Sequence, residues 1–270
     1  MSRDHTQEAF DEYYTTGIDP TGGAIGPDFD PDTGLELEDD DQEEEATAPS
    51  IIIPEYDIHF QYNVGDDGHI YLPSRILFFD TETDGLPSDY RFSAHVAPQN
   101  WPHIVQLAWI VTDDEGKELS SGNKIIRPEG IVIPPEATAI HGISQQRSLA
   151  EGEPLRKVLK RFSKVLDVTY LNIAHNLWFD ANVIAADMLS CGMSDDILYR
   201  PGYCTMEGTT DLCQLPFATE VHPDAEYKWP KLSELHEFLF GRSFQGAHDA
   251  LNDVRATARC FWELVRRRLI

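Results

Sequence analysis

The stretch ILFFDTETDGLP, residues 76–87, joins a buried-strand pattern to three closely spaced carboxylates. Four apolar residues lead directly into Asp80, Glu82 and Asp84. Because alternate residues of a strand face the same side, Asp80 and Glu82 are expected on one face and Thr81 on the other. Two carboxylates this close stay ionised only if a cation lies between them; otherwise the pKa of one rises. Hard oxygen ligands suit Mg²⁺ or Mn²⁺, although a solvated strand end explains the pair alone at least as well.

Two downstream segments carry further acidic residues, each with an ordinary structural explanation of its own. Asp180, in AHNLWFDANVI, follows a predicted strand and lies in the first turn of a helix, where the helix dipole favours a carboxylate. In GAHDALNDVRAT, His248 precedes a long amphipathic helix and Asp253 follows five residues later. These two side chains converge only if His248 lies in the loop and Asp253 on the second helical turn. Since strand ends of a mixed sheet meet at one edge, Asp180 is expected beside Asp80 and Glu82.

The apolar pattern from residue 75 onward predicts an α/β fold. Three strands with short connections indicate an antiparallel meander, and alternating helices and strands follow it. The order predicts a mixed five-stranded sheet, three strands antiparallel and then two parallel, with helices on its faces. The predicted strands are 75–82, 104–113, 118–128, 169–176 and 204–206. The predicted helices are 153–166, 178–192, 207–213, 231–240 and 249–268.

Taken together, four acids and one histidine occur in the order D-x-E, D, H-x4-D. The segments DTET, HNLWFD and HDALND resemble the motifs of the DEDDh group of 3′–5′ exonucleases. That group includes the proofreading subunit of bacterial replicative polymerase, RNase T and oligoribonuclease, and has the RNase H-like fold. The resemblance covers roughly residues 75–268 and includes AIHGIS at 139–144. The segments 84–102 and 180–248 are long, and both are expected to reshape the substrate entrance.

The resemblance implies roles for individual residues of this chain. The implied ligands of two divalent cations, Mg²⁺ or Mn²⁺, are Asp80, Glu82, Asp180 and Asp253. The implied general base, which takes a proton from the attacking water, is His248. The implied contacts to the terminal nucleotide are Thr83 and Leu86, with His141 and Asn176 as weaker candidates.

The implied activity is release of 5′-mononucleotides from the 3′ end of single-stranded or frayed DNA, in proofreading or repair. Two alternatives stay open. The same chemistry on RNA is one, because sugar selection depends on a few contacts to the 2′-position. A non-catalytic interaction module acting through an acidic tail is the other, although a scaffold has no need for clustered carboxylates. The expected partners are a nucleic acid 3′ end and, in addition, a polymerase or another protein.

The net charge of −26 is unevenly distributed along the chain. Residues 1–50 contain 16 acidic residues and one basic residue. Because they offer too little apolar surface to fold, we expect a disordered acidic tail. Residues 51–74 are interpreted as a transition segment, in which an additional β-hairpin is possible from the sequence pattern. Residues 75–270 are predicted to form the exonuclease domain. Net charge of this sign does not attract nucleic acid. The helix at 153–166, however, carries five cations opposite its apolar stripe, where they could contact phosphates.

Other classes find no support in the sequence. No apolar run approaches the roughly 18–20 residues that a membrane span needs. The N-terminal sequence has no secretory signal, so a cytoplasmic location is expected. The four cysteines form no CxxC pair and no zinc-ribbon spacing, which predicts reduced thiols in or near the core.

Overall fold

The computed structural model of the chain describes residues 63–64, 70–217, 226–244 and 246–270. The predicted tail at 1–50 lies outside the described residues, and its disorder stays a prediction. The strands are β1 (Asn63–Val64), β2 (Ile70–Tyr71), β3 (Ile76–Thr83), β4 (Ile104–Thr112), β5 (Glu118–Ile125), β6 (Leu171–Ala174) and β7 (Gly202–Cys204). The α-helices are α1 (Pro135–His141), α2 (Gln145–Glu151), α3 (Leu155–Leu166), α4 (Leu177–Ser190), α5 (Thr210–Cys213), α6 (Leu232–Phe240) and α7 (Ala250–Arg267). Short 3₁₀ helices occupy Pro98–Asn100, Asp196–Tyr199 and Glu207–Thr209.

The central sheet has five strands in the order β5-β4-β3-β6-β7. β3 pairs antiparallel with β4, and β4 antiparallel with β5, whereas β6 and β7 run parallel to β3. This arrangement confirms the predicted mixed sheet of three antiparallel strands followed by two parallel ones. The short strands β1 and β2 form a separate antiparallel pair in the transition segment.

Helices cover both faces of the sheet and explain why β3 is apolar at every position before its acidic end. Leu77 and Phe79 pack against α3 and α4, where the rings of Phe79 and Phe162 lie 5.8 Å apart. Ile76 and Phe78 face α7, and the rings of Phe78 and Phe261 lie 5.5 Å apart. Because side chains alternate along a strand, the next two residues on the α7 face are Asp80 and Glu82.

Two short helices are absent from the sequence prediction, α1 and α2. α1 begins at Pro135, where proline is tolerated because the first N–H of a helix has no intrahelical partner. It ends at Gly142, which takes the left-handed φ of 73°, and α2 begins after Ser144, whose side chain accepts a hydrogen bond from the backbone N–H of Arg147. The AIHGIS stretch is therefore the end of one helix and the start of the next. Each helix spans seven residues, too short for the apolar periodicity to identify it.

The long loop after β3 is fastened at its far end to α4 by a buried carboxylate. Asp187 accepts hydrogen bonds from His103 Nδ1 at 2.8 Å and from the backbone N–H of Ile104 at 2.9 Å. At the near end, Asp84 Oδ1 accepts from the backbone N–H of His103 at 2.7 Å. Asp84 thus closes the loop that begins at Gly85. The two contacts fix the end of β3, where the acidic residues lie.

Replacing Asp187 with alanine removes a charged acceptor and leaves the buried N–H of Ile104 without a partner. We expect the free energy of unfolding in urea to fall by about 2–3 kcal/mol. As a control, Asp195→Ala breaks the pair between Asp195 and the exposed His95, and should cost about 0–1 kcal/mol. A cost for Asp187→Ala no greater than that of the control would contradict the role of Asp187 as a clamp.

The same variant predicts a pH dependence. The hydrogen bond to Asp187 is the main cause that raises the pKa of His103 above its ordinary value. Stabilisation by the protonated ring is therefore complete below about pH 6.5, and is lost as pH rises through the raised pKa. The difference in unfolding free energy between the wild type and Asp187→Ala should narrow as pH rises above about 6.5 and through the raised pKa of His103.

Candidate active site

Three carboxylates meet where β3 reaches the first turn of α7. Asp80, Glu82 and Asp253 each place one ligand oxygen so that all three lie within 4.8 Å of one another. Asp80 is half-buried, whereas Glu82 and Asp253 are almost fully buried. The two β3 residues point towards α7 because they continue the side of the strand that carries Phe78.

Asp180 is hydrogen-bonded to the residue of the same strand that lies between Asp80 and Glu82. It lies in the first turn of α4, as expected, and is 3 % exposed. Its Oδ1 accepts hydrogen bonds from the backbone N–H of Thr81 at 2.8 Å and from the Thr81 hydroxyl at 2.7 Å. Thr81, which lies between Asp80 and Glu82, therefore holds the carboxylate of Asp180 in place.

Burial and mutual repulsion raise the pKa of all four carboxyls. For each of them burial is the largest cause. The pKa values of Asp180 and Asp253 rise to about 7. Those of Asp80 and Glu82 rise well above their usual range, and for Asp80 the next causes are the charges of Asp180 and Asp253. At neutral pH this cluster therefore holds less negative charge than four free acids would, unless a cation compensates it.

The donor set fits a divalent cation. Asp253 Oδ2 accepts a hydrogen bond from the backbone N–H of His248 at 2.9 Å, while its buried Oδ1 has no hydrogen-bond partner within the described residues. A buried oxygen without a partner is costly, and a metal ion supplies the missing interaction. Clustered carboxylate oxygens without sulfur or several histidines favour Mg²⁺ or Mn²⁺ over softer metals.

His248 lies in the loop before α7, as expected, but Asp253 lies on the first helical turn rather than the second. α7 begins at Ala250 because Asp249 caps it, accepting a hydrogen bond from the backbone N–H of Asn252 at 3.1 Å. Asp253 is therefore only the fourth residue of the helix. His248 is exposed and takes a left-handed φ of 65°, which lets its backbone N–H turn back to Asp253 while its ring lines the cavity above the acids.

A cavity of about 450 Å³ opens over the carboxylates. Of the four substrate contacts predicted from the resemblance, Thr83, Leu86 and His141 line it. Asn176 does not, since it is 3 % exposed and forms the left-handed turn, φ 70°, between β6 and α4. Its neighbour His175 lines the cavity instead, held between Thr205 Oγ1 at 3.0 Å and the carbonyl oxygen of Pro230 at 2.9 Å.

The sequence prediction missed much of the cavity wall opposite the acids. That wall comes from the long segment between Asp180 and His248, and includes Lys231, Leu232, Ser233 and Phe244. The ring of Phe244 lies 5.5 Å from that of His236 on α6. The segment EYKWPKLSEL, which leads into α6, was a recognisable signal, because it places two aromatics, a proline and two lysines directly before a helix.

Comparison with known proteins identifies the family. A family model described as "Exonuclease", RNase_T, matches residues 77–261. The chain belongs to this exonuclease family. The resemblance to the DEDDh group is thereby confirmed, and the protein is a nuclease. A relative from Escherichia phage 186, described as an uncharacterized exonuclease, is 29 % identical over 188 residues, which are 67 % of this chain and 83 % of that protein.

Solved structures of exonuclease I share the fold. One of the E. coli enzyme, a zinc-bound complex with single-stranded DNA, has a TM-score of 0.57 at 21 % identity over 73 % of this chain. One from Methylocaldum szegediense has a TM-score of 0.56 at 23 % identity over 72 % of this chain. The matched region spans only 42 % and 41 % of those longer chains.

Within the described residues, no helix is both long and apolar enough to cross a membrane.

Metal binding should be visible as thermal stabilisation, because Mn²⁺ relieves the repulsion that the raised pKa values report. We expect Mn²⁺ to raise the Tm of the wild-type protein in differential scanning fluorimetry, and chelator to reverse the rise. The gain should disappear in Asp253→Asn. As a control, Asp114→Asn alters an exposed carboxylate in the β4–β5 turn and should keep it. Equal stabilisation of both variants would contradict the proposed metal site.

Proposed function

We propose that this exonuclease acts from the 3′ end of single-stranded or frayed DNA, releases 5′-mononucleotides and requires two divalent cations. The observation that carries the proposal is the approach of Asp80, Glu82 and Asp253 to within 4.8 Å, with His248 on the loop beside them. The exonuclease domain is proposed to comprise residues 75–270. A proofreading or repair setting, with a polymerase or another protein as partner, rests on the family resemblance alone.

The four acids are proposed to hold the metal. Asp80, Glu82 and Asp253 would ligate directly, and Asp180, fixed by Thr81, would complete the set. Divalent cations bound there lower the pKa of a water molecule and stabilise charge on phosphate oxygens. Proton transfer and substrate binding would be carried out by the side chains around them.

His248 is proposed as the general base that takes the proton of the attacking water. Histidine suits this role because its ordinary pKa lies close to neutral pH. The exposed loop position of His248 places its ring at the cavity without burying it among the acids. Its backbone N–H, bonded to Asp253, sets the distance between base and metal ligand.

The cavity is proposed to hold the terminal nucleotide. Thr83 and Leu86 form its floor at the end of β3, and His141 closes it from the end of α1. The Thr83 hydroxyl donates to the carbonyl oxygen of Gly85 at 2.7 Å, which fixes the turn that presents Leu86. Apolar walls with a few polar groups suit a base and sugar beside a charged phosphate.

DNA is the preferred substrate in this proposal because exonuclease I structures of the same fold contain single-stranded DNA or oligonucleotides such as dA16. Incubation of 5′-labelled single-stranded DNA, duplex DNA and RNA with Mg²⁺ or Mn²⁺ tests substrate and direction together. A ladder of 5′-labelled fragments that shorten one nucleotide at a time supports 3′–5′ action. Immediate release of a labelled mononucleotide would contradict it, and preferential degradation of RNA would favour the exoribonuclease alternative.

Two substitutions should separate metal binding from proton transfer. Asp80→Asn should abolish release of mononucleotides, whereas Asp114→Asn should leave it unchanged. His248→Ala should lower kcat by about 10²–10⁴-fold, the usual contribution of a general base, while the thermal stabilisation by Mn²⁺ persists. Retention of most activity in Asp80→Asn would contradict the metal assignment. A loss below about tenfold in His248→Ala would contradict its role as base.

A further inference from the structure

A strongly positively charged surface of this acidic protein lies on α3. Its exposed cations occupy positions i, i+1, i+4, i+5 and i+8, which bring them to one side of the helix. They are Arg156, Lys157, Lys160, Arg161 and Lys164. The opposite side, which carries Val158 and Phe162, is buried against the sheet. We call these five cations the basic face.

Few carboxylates compensate the basic face. Glu153 forms ion pairs with Lys157 at 2.9 Å, with Arg161 at 2.8 Å and with Lys124 of β5 at 3.1 Å. One carboxylate thus serves three cations. The neighbouring acids are engaged elsewhere, Glu151 with Arg147 and Asp167 with Arg200.

Lys160 and Lys164 have no ion pair within the described residues, although the chain carries a net charge of −26. A groove on the surface is lined by the basic face and Pro154. Side-by-side cations repel one another as the carboxylates of the active site do. An anionic partner with repeated charges would relieve that repulsion.

The basic face begins near the end of the sheet that carries the acids but on its other face, because α3 packs on the side of Leu77 and Phe79 whereas Asp80 and Glu82 face α7. Glu82 pairs with Gln106 of β4, Gln106 with Ile125 of β5, and the backbone N–H of Glu153 donates to the carbonyl oxygen of Ile125 at 2.9 Å. Three steps of about 4.8 Å place Glu153 roughly 14 Å from Glu82 along this row. At the 3.4 Å spacing of a stacked strand, at least about four nucleotides are needed to cover that distance and pass around the edge strand β5.

From there the helix leads away from the active-site edge. A rise of 1.5 Å per residue places Arg156 and Lys164 about 12 Å apart, which matches roughly three to four phosphate-to-phosphate steps of a stacked strand. Lysines and arginines at such spacing bind a phosphate backbone without reading its sequence.

We propose that the basic face binds the phosphate backbone of the substrate strand, upstream of the terminal nucleotide. The proposal rests on the nuclease function above and names where the rest of the strand lies. It explains how an acidic chain holds a polyanion. The cluster of acids receives only the 3′ end, and a separate surface of opposite charge holds the strand roughly four or more nucleotides away.

The test compares strands of different lengths. The double variant Lys160→Gln, Lys164→Gln removes the two cations that lack an ion pair. Its matched control, Arg75→Gln, Lys117→Gln, removes the same charge from exposed residues at the opposite edge of the sheet. Binding is measured by fluorescence anisotropy in the full chain, with Asp253→Asn added so that the strand is not degraded.

For a strand of about 20 nucleotides, we expect the basic-face variant to bind at least about tenfold more weakly than the control at about 50 mM salt. The slope of log K against log salt should become shallower by about 0.7 for each lost contact, about 1.4 in total. A trinucleotide is too short to reach the basic face. With Asp253 intact, its hydrolysis should keep the same kcat/KM in both variants.

Equal affinity of variant and control for the long strand would overturn the proposal. Tighter binding by the variant would overturn it too, and is the result expected if the basic face instead held the acidic segment 1–50. An equal loss of activity on trinucleotide and long strand would also overturn it, because it would place the effect at the active site. If the wild-type chain degraded no strand, the nuclease proposal would fail, while the anisotropy measurement would still test the basic face.

Discussion

Repulsion among four carboxylates is the constraint on which the rest of the structure depends. Asp80 and Glu82 continue one face of a buried strand, and Asp253 approaches them from a helix packed on that face. Thr81, on the other face, holds Asp180. The fold therefore uses its most rigid elements to hold together groups that repel one another. Such an arrangement is costly for a structural role, and it is suited to concentrating positive charge at one point.

The fastenings around the site serve the same purpose. Asp187 fixes the loop after β3, His175 ties the end of β6 to the carbonyl oxygen of Pro230, and Asp249 sets the first residue of α7. Each contact lies beside an acid or a cavity-lining residue rather than in the centre of the core. Groups held by packing and hydrogen bonds keep their positions when charges change, and an active site needs this property.

The acids were predictable from the sequence because each follows a local rule. A period of two put Asp80 and Glu82 together, and a helix start after a strand explained Asp180. The turn of α7 that carries Asp253 depended on the cap at Asp249, which starts the helix one residue later than predicted and so places Asp253 in its first turn. The helices α1 and α2 were not predicted because seven residues are too few to establish the apolar periodicity of a helix. Phe244 and Lys231 were not predicted because tertiary packing, and not local periodicity, sets their approach to the acids.

Charge is separated along the molecule, and this separation bears on how an acidic protein binds nucleic acid. A net charge of −26 repels nucleic acid at a distance, so binding has to come from local surfaces. In our proposal, the acidic cluster would supply one such surface once it has bound cations. The basic face of α3 would supply the other without metal. Affinity would then combine a metal-dependent contact at the 3′ end with a salt-dependent contact along the strand.

The central claim is that Asp80, Glu82, Asp180 and Asp253 form a cage for divalent cations. A crystal of the protein grown with Mn²⁺ and a nucleoside 5′-monophosphate, with diffraction recorded near the manganese absorption edge, tests it most directly. If these residues hold the cations, anomalous density will lie in contact with the carboxylates of Asp80, Glu82 and Asp253, with the phosphate of the nucleotide beside it. Ordered carboxylates without anomalous density between them, at Mn²⁺ concentrations that support nuclease activity, would contradict it.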